Sequence, residues 1–585
     1  MAIITASKTA PQYDAIVVGS GAAGGMAAYV LTKAGMKVLM LEAGRNYDPL
    51  TETPMFQSNA DAPLRATGTP DKTNGFFDAT VNGGWVVDGE PYVVQKQSNG
   101  EWVEGAIQNR NNTDQNFMWW RSRALGGRTN HWGRVSLRMG SYDFKPKSRD
   151  GLGFDWPIGY DDVAPYYDKA EQVVGIYGAK AGIENAPDSD FFQPPPKPRG
   201  YELLIAKSAE KLGIKVTAAR MAILTKPLNG RAACFYATPC GRGCSIGAAF
   251  QSTTALIPPA MATGNLDLIT DAMVREITVG KDGKATGVSF VDKASGKEMH
   301  VKARAIMLGA STLESTRILL NSKSPLHPQG LGASSGHLGR WLTDSTGGAL
   351  NGQVPAMENT PIYNEDGTST FHTYAPWWPY ADQLAGKLGF PRGYYFGWSG
   401  GRTMPGASTY LPNANVYGKK LKEDARRYYG STVNFHARGE MIPNEQSFCE
   451  LDPQKKDRWG IPVLRFHFQW TDYELKQAVH MQQTFAQIIE GMGGKVTGKV
   501  ETDGRKIITA GGSVNHEMGT ARMAATAKEG VVNSFGQVWE APNVFSIDGA
   551  PFVSSPYKNP TLTILALTWR ACDHLMAEMK RGNIG

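Results

Sequence analysis

A short apolar run, Asp14–Val18, breaks into Gly19-Ser20-Gly21-Ala22-Ala23-Gly24, and this junction constrains the fold of the 585-residue chain most tightly. A helix-compatible segment runs from about Ala22 to Ala34 and closes at Gly35, a residue suited to ending helices. Lys37–Leu41 then reads as a second buried strand that ends on Glu42. Each part has a physical role in holding a dinucleotide. Gly19 allows the tight strand-to-helix turn, Gly21 lets a pyrophosphate approach the backbone, and Gly24 lets helix and strand pack closely. Ala22 and Ala23 open the helix, whose free N–H groups and partial positive charge face the phosphates. Glu42, 18 residues beyond Gly24, is placed to accept hydrogen bonds from a ribose diol. Strand, helix and acid together predict a dinucleotide site, but do not separate FAD from NAD.

The length allows about two to four domains and a large buried core. A net charge of +7 is small for this length and no dense Lys/Arg run occurs, so nucleic-acid binding is not expected. No run of about 18 apolar residues is present, so no transmembrane helix is expected. The start, MAIITASKTAPQYDA, lacks the features of a secretory signal. A cytoplasmic protein is expected, or a periplasmic one if a partner subunit carries the export signal. Five cysteines argue against a disulfide framework, yet Cys234, Cys240 and Cys244 fall within eleven residues.

Beyond the first unit, residues 45–118 read as an irregular excursion covering the cofactor, with strand-like pieces at Gly84–Val87 and Tyr92–Val94. A Gly126-Gly127 pair followed by small and polar residues suits backbone lying close to a ligand. A helix is expected over about Tyr160–Gly175, and Gln193–Pro198 reads as a stiff connector. Strands are expected at Leu266–Thr270, Val274–Val279, Ala285–Val291 and Ala305–Leu308, the last leading through a small-residue turn into a helix to Leu320. Residues 345–505 form a second excursion, with nine aromatic residues crowded between Tyr374 and Trp398 that could stack on sugar faces or pack a core. Val544–Ile547 reads as a strand and Asn559–Met579 as a final helix.

The blocks Gly19–Gly24 with Glu42, Gly126-Gly127, Leu308–Leu320, His516-Glu517-Met518-Gly519-Thr520 and Asp548-Gly549 occur in an order that resembles the glucose–methanol–choline (GMC) family of FAD-dependent oxidoreductases. Asn559-Pro560-Thr561-Leu562-Thr563 resembles its sugar-oxidising branch. The resemblance implies an α/β fold: a Rossmann-type FAD-binding domain assembled from discontinuous segments, plus an α+β substrate domain with an antiparallel sheet. Residues 1–60, 106–150, 250–345 and 506–585 are assigned to the first, and 61–105, 151–249 and 346–505 to the second. The implied FAD contacts add Gly126, Gly127, Thr129, Asn130, His131, Val274, Ala310, Asp548, Gly549, Asn559 and Thr561 to the N-terminal motif.

Oxidising an alcohol requires a hydride acceptor, which FAD supplies, and a base for the hydroxyl proton that titrates near neutrality. His516 matches the family's catalytic histidine, and Asn559 the second member of its pair. Asn559 also reads as a helix N-cap with Pro560 at the first helical position, which would aim the helix dipole at the reduced flavin. At His131 some family members carry a histidine linked to the flavin 8α-methyl group and others an unlinked one; Asn130 departs from the small residue common in linked members. Cys234, Cys240 and Cys244 resemble the ligands of a three-iron [3Fe-4S] cluster in electron-transferring sugar dehydrogenases. The resemblance thus implies a sugar or glycoside dehydrogenase making a keto-sugar, with a small partner subunit and a cytochrome-type acceptor. The loop Gly241–Ala260 is most similar to the glucoside 3-dehydrogenase group, which favours C3. An oxidase using oxygen and a non-catalytic flavin electron-transfer subunit are the alternatives.

Overall fold

The computed structural model describes residues 3–5, 8–52, 91–96, 98–105, 117–235, 243–361, 371–402 and 417–584. Gly84–Val87 and Cys240 lie outside the described residues.

Strand Tyr13–Val18 is almost wholly buried and pairs in parallel with Val38–Leu41 on one side and with Lys297–Leu308 on the other. Val38–Leu41 pairs in turn with Leu266–Ile269, and Val544–Ser546 joins the far side of Lys297–Leu308, all in parallel. Strands buried on both faces need nearly continuous apolar sequence, which is what IVV, VLML and AIML supply. The helices Ala22–Lys33 and Thr561–Lys580 pack against each other, and the latter also against Tyr160–Val174. Their apolar faces join the strands in one core that includes Ile16, Leu31, Leu308, Phe545 and Leu565. This is the expected Rossmann-type sheet.

The turn after the first strand shows why its glycines are there. Gly19 has φ +90°, a conformation costly for any residue with a Cβ, and a Cβ on Gly24 would lie 1.9 Å from the Gly19 carbonyl oxygen. A Cβ on Gly21 would meet nothing within 4 Å, so this face of the turn is open.

Lys297–Leu308 extends further toward its N-terminus than Ala305–Leu308, the segment read from sequence. Its first half is mostly exposed, with Val301 buried, and pairs antiparallel with Ala285–Asp292, which pairs with Ala272–Val279. Only its last four residues, Ala305–Leu308, are the continuous apolar run that sequence reading detects.

The second excursion folds into an antiparallel sheet in the order Tyr394–Gly400, Thr432–Gly439, Ala349–Gln353, Lys495–Thr497. The helix Asp472–Gly491 packs on one face of it through Met481, Phe485, Ile488 and Ile489. That helix opens with a capping box in which Thr471 and Glu474 satisfy each other's end of the first turn. The other face of the sheet is turned toward the Rossmann strands. Most of the aromatic crowd packs the core on this sheet: Trp377, Tyr394, Phe396 and Trp398 are fully buried and in mutual ring contact.

The final helix begins at Thr561, two residues later than read from sequence, and Pro560, with φ −73° and ψ −20°, occupies the cap position assigned to Asn559. Asn559 does not cap because its side chain is turned to His516 instead.

Candidate active site

A cavity of about 620 Å³ runs from the glycine turn to the face of the antiparallel sheet. Of the sequence-predicted residues, Gly19, Gly21, Ala22, Ala23, Glu42, Gly127, Thr129, Val274, Ala310, His516, Asp548, Gly549, Asn559 and Thr561 line it. Gly24, Gly126, Asn130 and His131 sit behind this lining. Asn130 acts as a clip there: its Nδ2 donates to the Leu125 carbonyl at 2.9 Å and its Oδ1 accepts from Thr253 Oγ1 at 3.2 Å. His131 is buried, and burial with Arg134 and Arg128 nearby pushes its pKa well below the ordinary histidine value.

At one end, Glu42 accepts from Ser20 Oγ, from Ser20 N at 3.1 Å and from Gly44 N at 2.7 Å. Ser20 Oγ in turn accepts from Gly126 N at 2.8 Å, tying the first turn to the Gly126-Gly127 block. Asp548 accepts from Ser315 Oγ at 2.5 Å and from Ala550 N at 2.9 Å, and burial raises its pKa to about 6.

At the other end stands His516. Its backbone N–H donates to Asp344 Oδ1 at 2.9 Å, its Nδ1 lies 3.0 Å from Ser345 Oγ, and its Nε2 lies 3.2 Å from Asn559 Nδ2. An amide nitrogen only donates, so Nε2 accepts and the ring proton resides on Nδ1, facing Ser345. The loop carrying it is over-determined: Asn515, Gly519 and Thr520 all have positive φ (64°, 85° and 74°). Left-handed backbone is costly at a β-branched residue such as Thr520. The loop is held there by Thr343 N to Met518 O at 3.0 Å, Thr520 N to Arg340 O at 3.0 Å, and a Thr316–Thr520 hydroxyl pair at 2.7 Å.

The electrostatics of this end are set by burial. His516 was expected to titrate near neutrality; burial, with Arg438 and Arg128 adding to it, pushes its pKa down to about 3. Burial and the two guanidinium groups thus favour the neutral imidazole. Behind it, burial and the nearby Glu517 carboxylate raise Asp344 to about 7. Glu517 is buried and pairs with Arg128 Nη1 at 2.8 Å, leaving Oε1 with no hydrogen-bond partner.

Sequence reading missed Ser345, Asp344 and the pairing of Arg128 with Glu517, because Ser345, Asp344 and Arg128 reach this end only through tertiary contact. It also missed the wall of the cavity. Thr432–Gly439 alternates half-buried and buried residues, so Asn434, His436 and Arg438 face the cavity while Val433, Phe435 and Ala437 face the core. The period-two pattern was readable in TVNFHARG, though not its destination. Of the aromatic crowd, Tyr395 alone lines the cavity, and its hydroxyl meets the Asn559 amide.

Cys244 is buried and its Sγ accepts from Ala249 N at 3.4 Å; Cys234 is half-buried. Among the described residues no group of three His, Cys, Asp or Glu side chains is assembled to hold a metal. No helix among them is long and apolar enough to cross a membrane.

A glycine-turn cradle that opens onto the His516–Asn559 pair fits a nucleotide-dependent oxidoreductase, and comparison with known proteins gives its family. Residues 13–345 and 443–568 match the N- and C-terminal regions of the GMC oxidoreductases. The chain belongs to the GMC oxidoreductase family, and it is an FAD-dependent oxidoreductase acting on CH–OH groups. It is 29% identical to the 2-methyl-1,2-propanediol dehydrogenase of Mycolicibacterium austroafricanum, over 97% of this chain and 96% of that one. It is 27% identical to the fructose dehydrogenase large subunit of Gluconobacter japonicus, over 97% and 98%. The pyridoxine 4-oxidase of Mesorbium loti has the same fold, with a TM-score of 0.59 at 15% identity, covering 97% of this chain and 99% of that one.

FAD fits the residues present. The open face at Gly21 admits a pyrophosphate. At the far end, Glu517 Oε1 and Asn515 Oδ1 are buried on the cavity wall without a hydrogen-bond partner, acceptors suited to a flavin or substrate N–H or O–H.

Proposed function

We propose that this enzyme oxidises a ring carbinol of a sugar or glycoside to a keto-sugar and passes the electrons to a redox partner. The observation that carries the reading is the His516–Asn559 pair, 3.2 Å apart on the cavity wall. Bound FAD supplies the hydride acceptor for the carbinol C–H. A carbinol oxygen entering between the two side chains donates its proton to His516 Nε2 and accepts a hydrogen bond from Asn559 Nδ2. The proton leaves the substrate as the hydride does, so neither a free alkoxide nor an unsupported oxocarbenium forms. Ser345 Oγ, facing Nδ1, keeps the ring oriented and receives the Nδ1–H bond that strengthens once the imidazole is charged. Arg128 and Arg438 oppose that charge, which favours prompt return of the proton to solvent.

Oxidation at C3 is the regiochemistry we propose, on the likeness of the Gly241–Ala260 loop to the glucoside 3-dehydrogenase group. Part of that loop reaches the site: Ser252 N donates to Thr129 Oγ1 at 3.0 Å on the cavity wall.

A cluster on Cys234, Cys240 and Cys244 as the electron exit belongs to the same proposal. It is supported by a short path: Gln251 accepts from Cys244 N at 3.1 Å and donates to Asn130 Oδ1 at 3.4 Å, directly behind the cavity lining. A small partner subunit would then complete the route to a cytochrome-type acceptor.

The test is iron and acid-labile sulfide analysis of anaerobically purified protein, alongside sugar-dependent dye reduction and peroxide yield in air. About three irons per flavin with little peroxide supports the dehydrogenase. Iron-free protein that makes stoichiometric peroxide is an oxidase, and flavoprotein that reduces no dye with any sugar or alcohol overturns the substrate chemistry.

A further inference from the structure

The wall opposite the glycine turn carries a charge that pairs with no carboxylate among the described residues. In the pairing of Tyr394–Gly400 with Thr432–Gly439, Tyr395 stands across from Arg438, Gly397 from His436 and Ser399 from Asn434. These positions share the sheet face that lines the cavity. Gly397 keeps the middle of the face low: a Cβ there would come within 3.0 Å of the Phe371 ring, which roofs it. Asn434, His436 and Ser399 offer uncharged donors and acceptors, the kind of lining that fits hydroxyl groups.

Arg438 is different. Its Nη1 donates to the Ala437 carbonyl at 2.8 Å, and no carboxylate lies within ion-pairing distance of it among the described residues. The acids of the cavity are engaged elsewhere. Glu517 is held by Arg128, Glu314 by Arg123 at 2.6 Å, Glu42 by Ser20 and Gly44, and Asp548 by Ser315 and Ala550. The excess positive charge is felt on both sides. After burial itself, Arg438 is the first cause holding His436 and His516 down to about 3. A half-buried guanidinium with no anionic partner is suited to a carboxylate or phosphate, which it can hold through two parallel N–H···O bonds.

We propose that the substrate carries an anionic group, a carboxylate or a phosphate, which pairs with Arg438 while a neighbouring carbinol is oxidised between His516 and Asn559. This deepens the reading above and rests on it: the sugar-like substrate becomes a sugar acid or sugar phosphate. The neutral face of Asn434, His436 and Ser399 is left for its hydroxyls.

The experiment compares kcat/KM of the FAD-loaded enzyme, under anaerobic dye reduction, for glucose, gluconate, glucuronate, the methyl ester of glucuronate and glucose 6-phosphate. The expected result is that one anionic compound exceeds its neutral counterpart by about tenfold or more, mostly through KM. Arg438→Gln erases that preference and Arg438→Lys restores part of it. Carboxylate against phosphate is decided by which anionic compound leads. Equal or better turnover of the neutral sugars by the unmodified enzyme overturns the proposal. So does an Arg438→Gln variant that slows neutral and anionic substrates equally at unchanged KM, because the arginine would then act on the flavin. If no compound turns over, titration of the flavin spectrum with gluconate, glucuronate and phosphate still decides. Saturable perturbation lost in Arg438→Gln supports the proposal, and no perturbation in the unmodified protein overturns it.

Discussion

On the mechanism proposed above, replacing His516 removes the proton acceptor and leaves the cradle intact. His516→Ala is expected to lower kcat by about 10²- to 10⁴-fold, with the flavin spectrum unchanged, in stopped-flow reduction by substrate. Asn559→Ala removes one positioned donor and should cost on the order of a hundredfold. The pH behaviour divides by residue. His516, with a pKa lowered from 6.5 to about 3, binds its proton more tightly in the unfolded chain, so it adds stability as pH rises from about 3 to 6.5. Asp344 works the other way: raised from 3.8 to about 7, it holds an extra proton in the folded state and removes stability as pH rises through that window. Between pH 4 and 7, urea unfolding should therefore show the stability of the unmodified protein falling relative to Asp344→Asn, with a slope of about one proton. A flat difference would mean that the carboxylate is ionised throughout. His516 and Asn559 could be singled out from sequence because each lies in a short local motif, and the structure brings them together. Ser345, Asp344 and Arg438 were not, because they reach His516 from 171, 172 and 78 positions away along a chain whose intervening loops carry no signature.

At the scale of elements, the first strand, turn and helix form a unit whose tolerances are set by backbone. Gly24→Ala would place a methyl 1.9 Å from the Gly19 carbonyl oxygen and so push helix from strand. The expected outcome is protein with little bound flavin, read from the ratio of absorbance at 450 and 280 nm, whereas Gly21→Ala, with nothing within 4 Å, folds and loses cofactor affinity only. The parallel strands were legible because burial on both faces leaves an unbroken apolar run. The partners and register of the antiparallel sheet were not, because its strands pair across long loops; residues 345–505 showed an aromatic crowd but not that Tyr395, Asn434, His436 and Arg438 would line the cavity beside His516. The same difference explains the final helix. Asn-Pro is a sound helix start in isolation, yet the bond from Asn559 to His516 outweighs a cap, and the helix opens at Thr561.

For the molecule as a whole, the cavity lies between two sheets and its occupant must couple them. Binding FAD to the folded state alone stabilises it by about 4 kcal/mol when the ligand is a thousandfold above its dissociation constant. Flavin-depleted protein should therefore melt several degrees lower and recover on adding FAD, monitored by calorimetry. A melting temperature indifferent to FAD would mean that the cradle holds nothing that the fold depends on.

The strand Val544–Ser546 closes one edge of the parallel sheet, and the helix Thr561–Lys580 covers the helix that opens at Ala22. A nascent chain has emerged almost entirely before either can dock, so the glycine turn made first waits through more than 500 residues of synthesis for the pieces that bury it. During that interval the apolar strand Tyr13–Val18 has no finished sheet to join. The complete sheet is therefore expected to form only after the far end of the chain has been released.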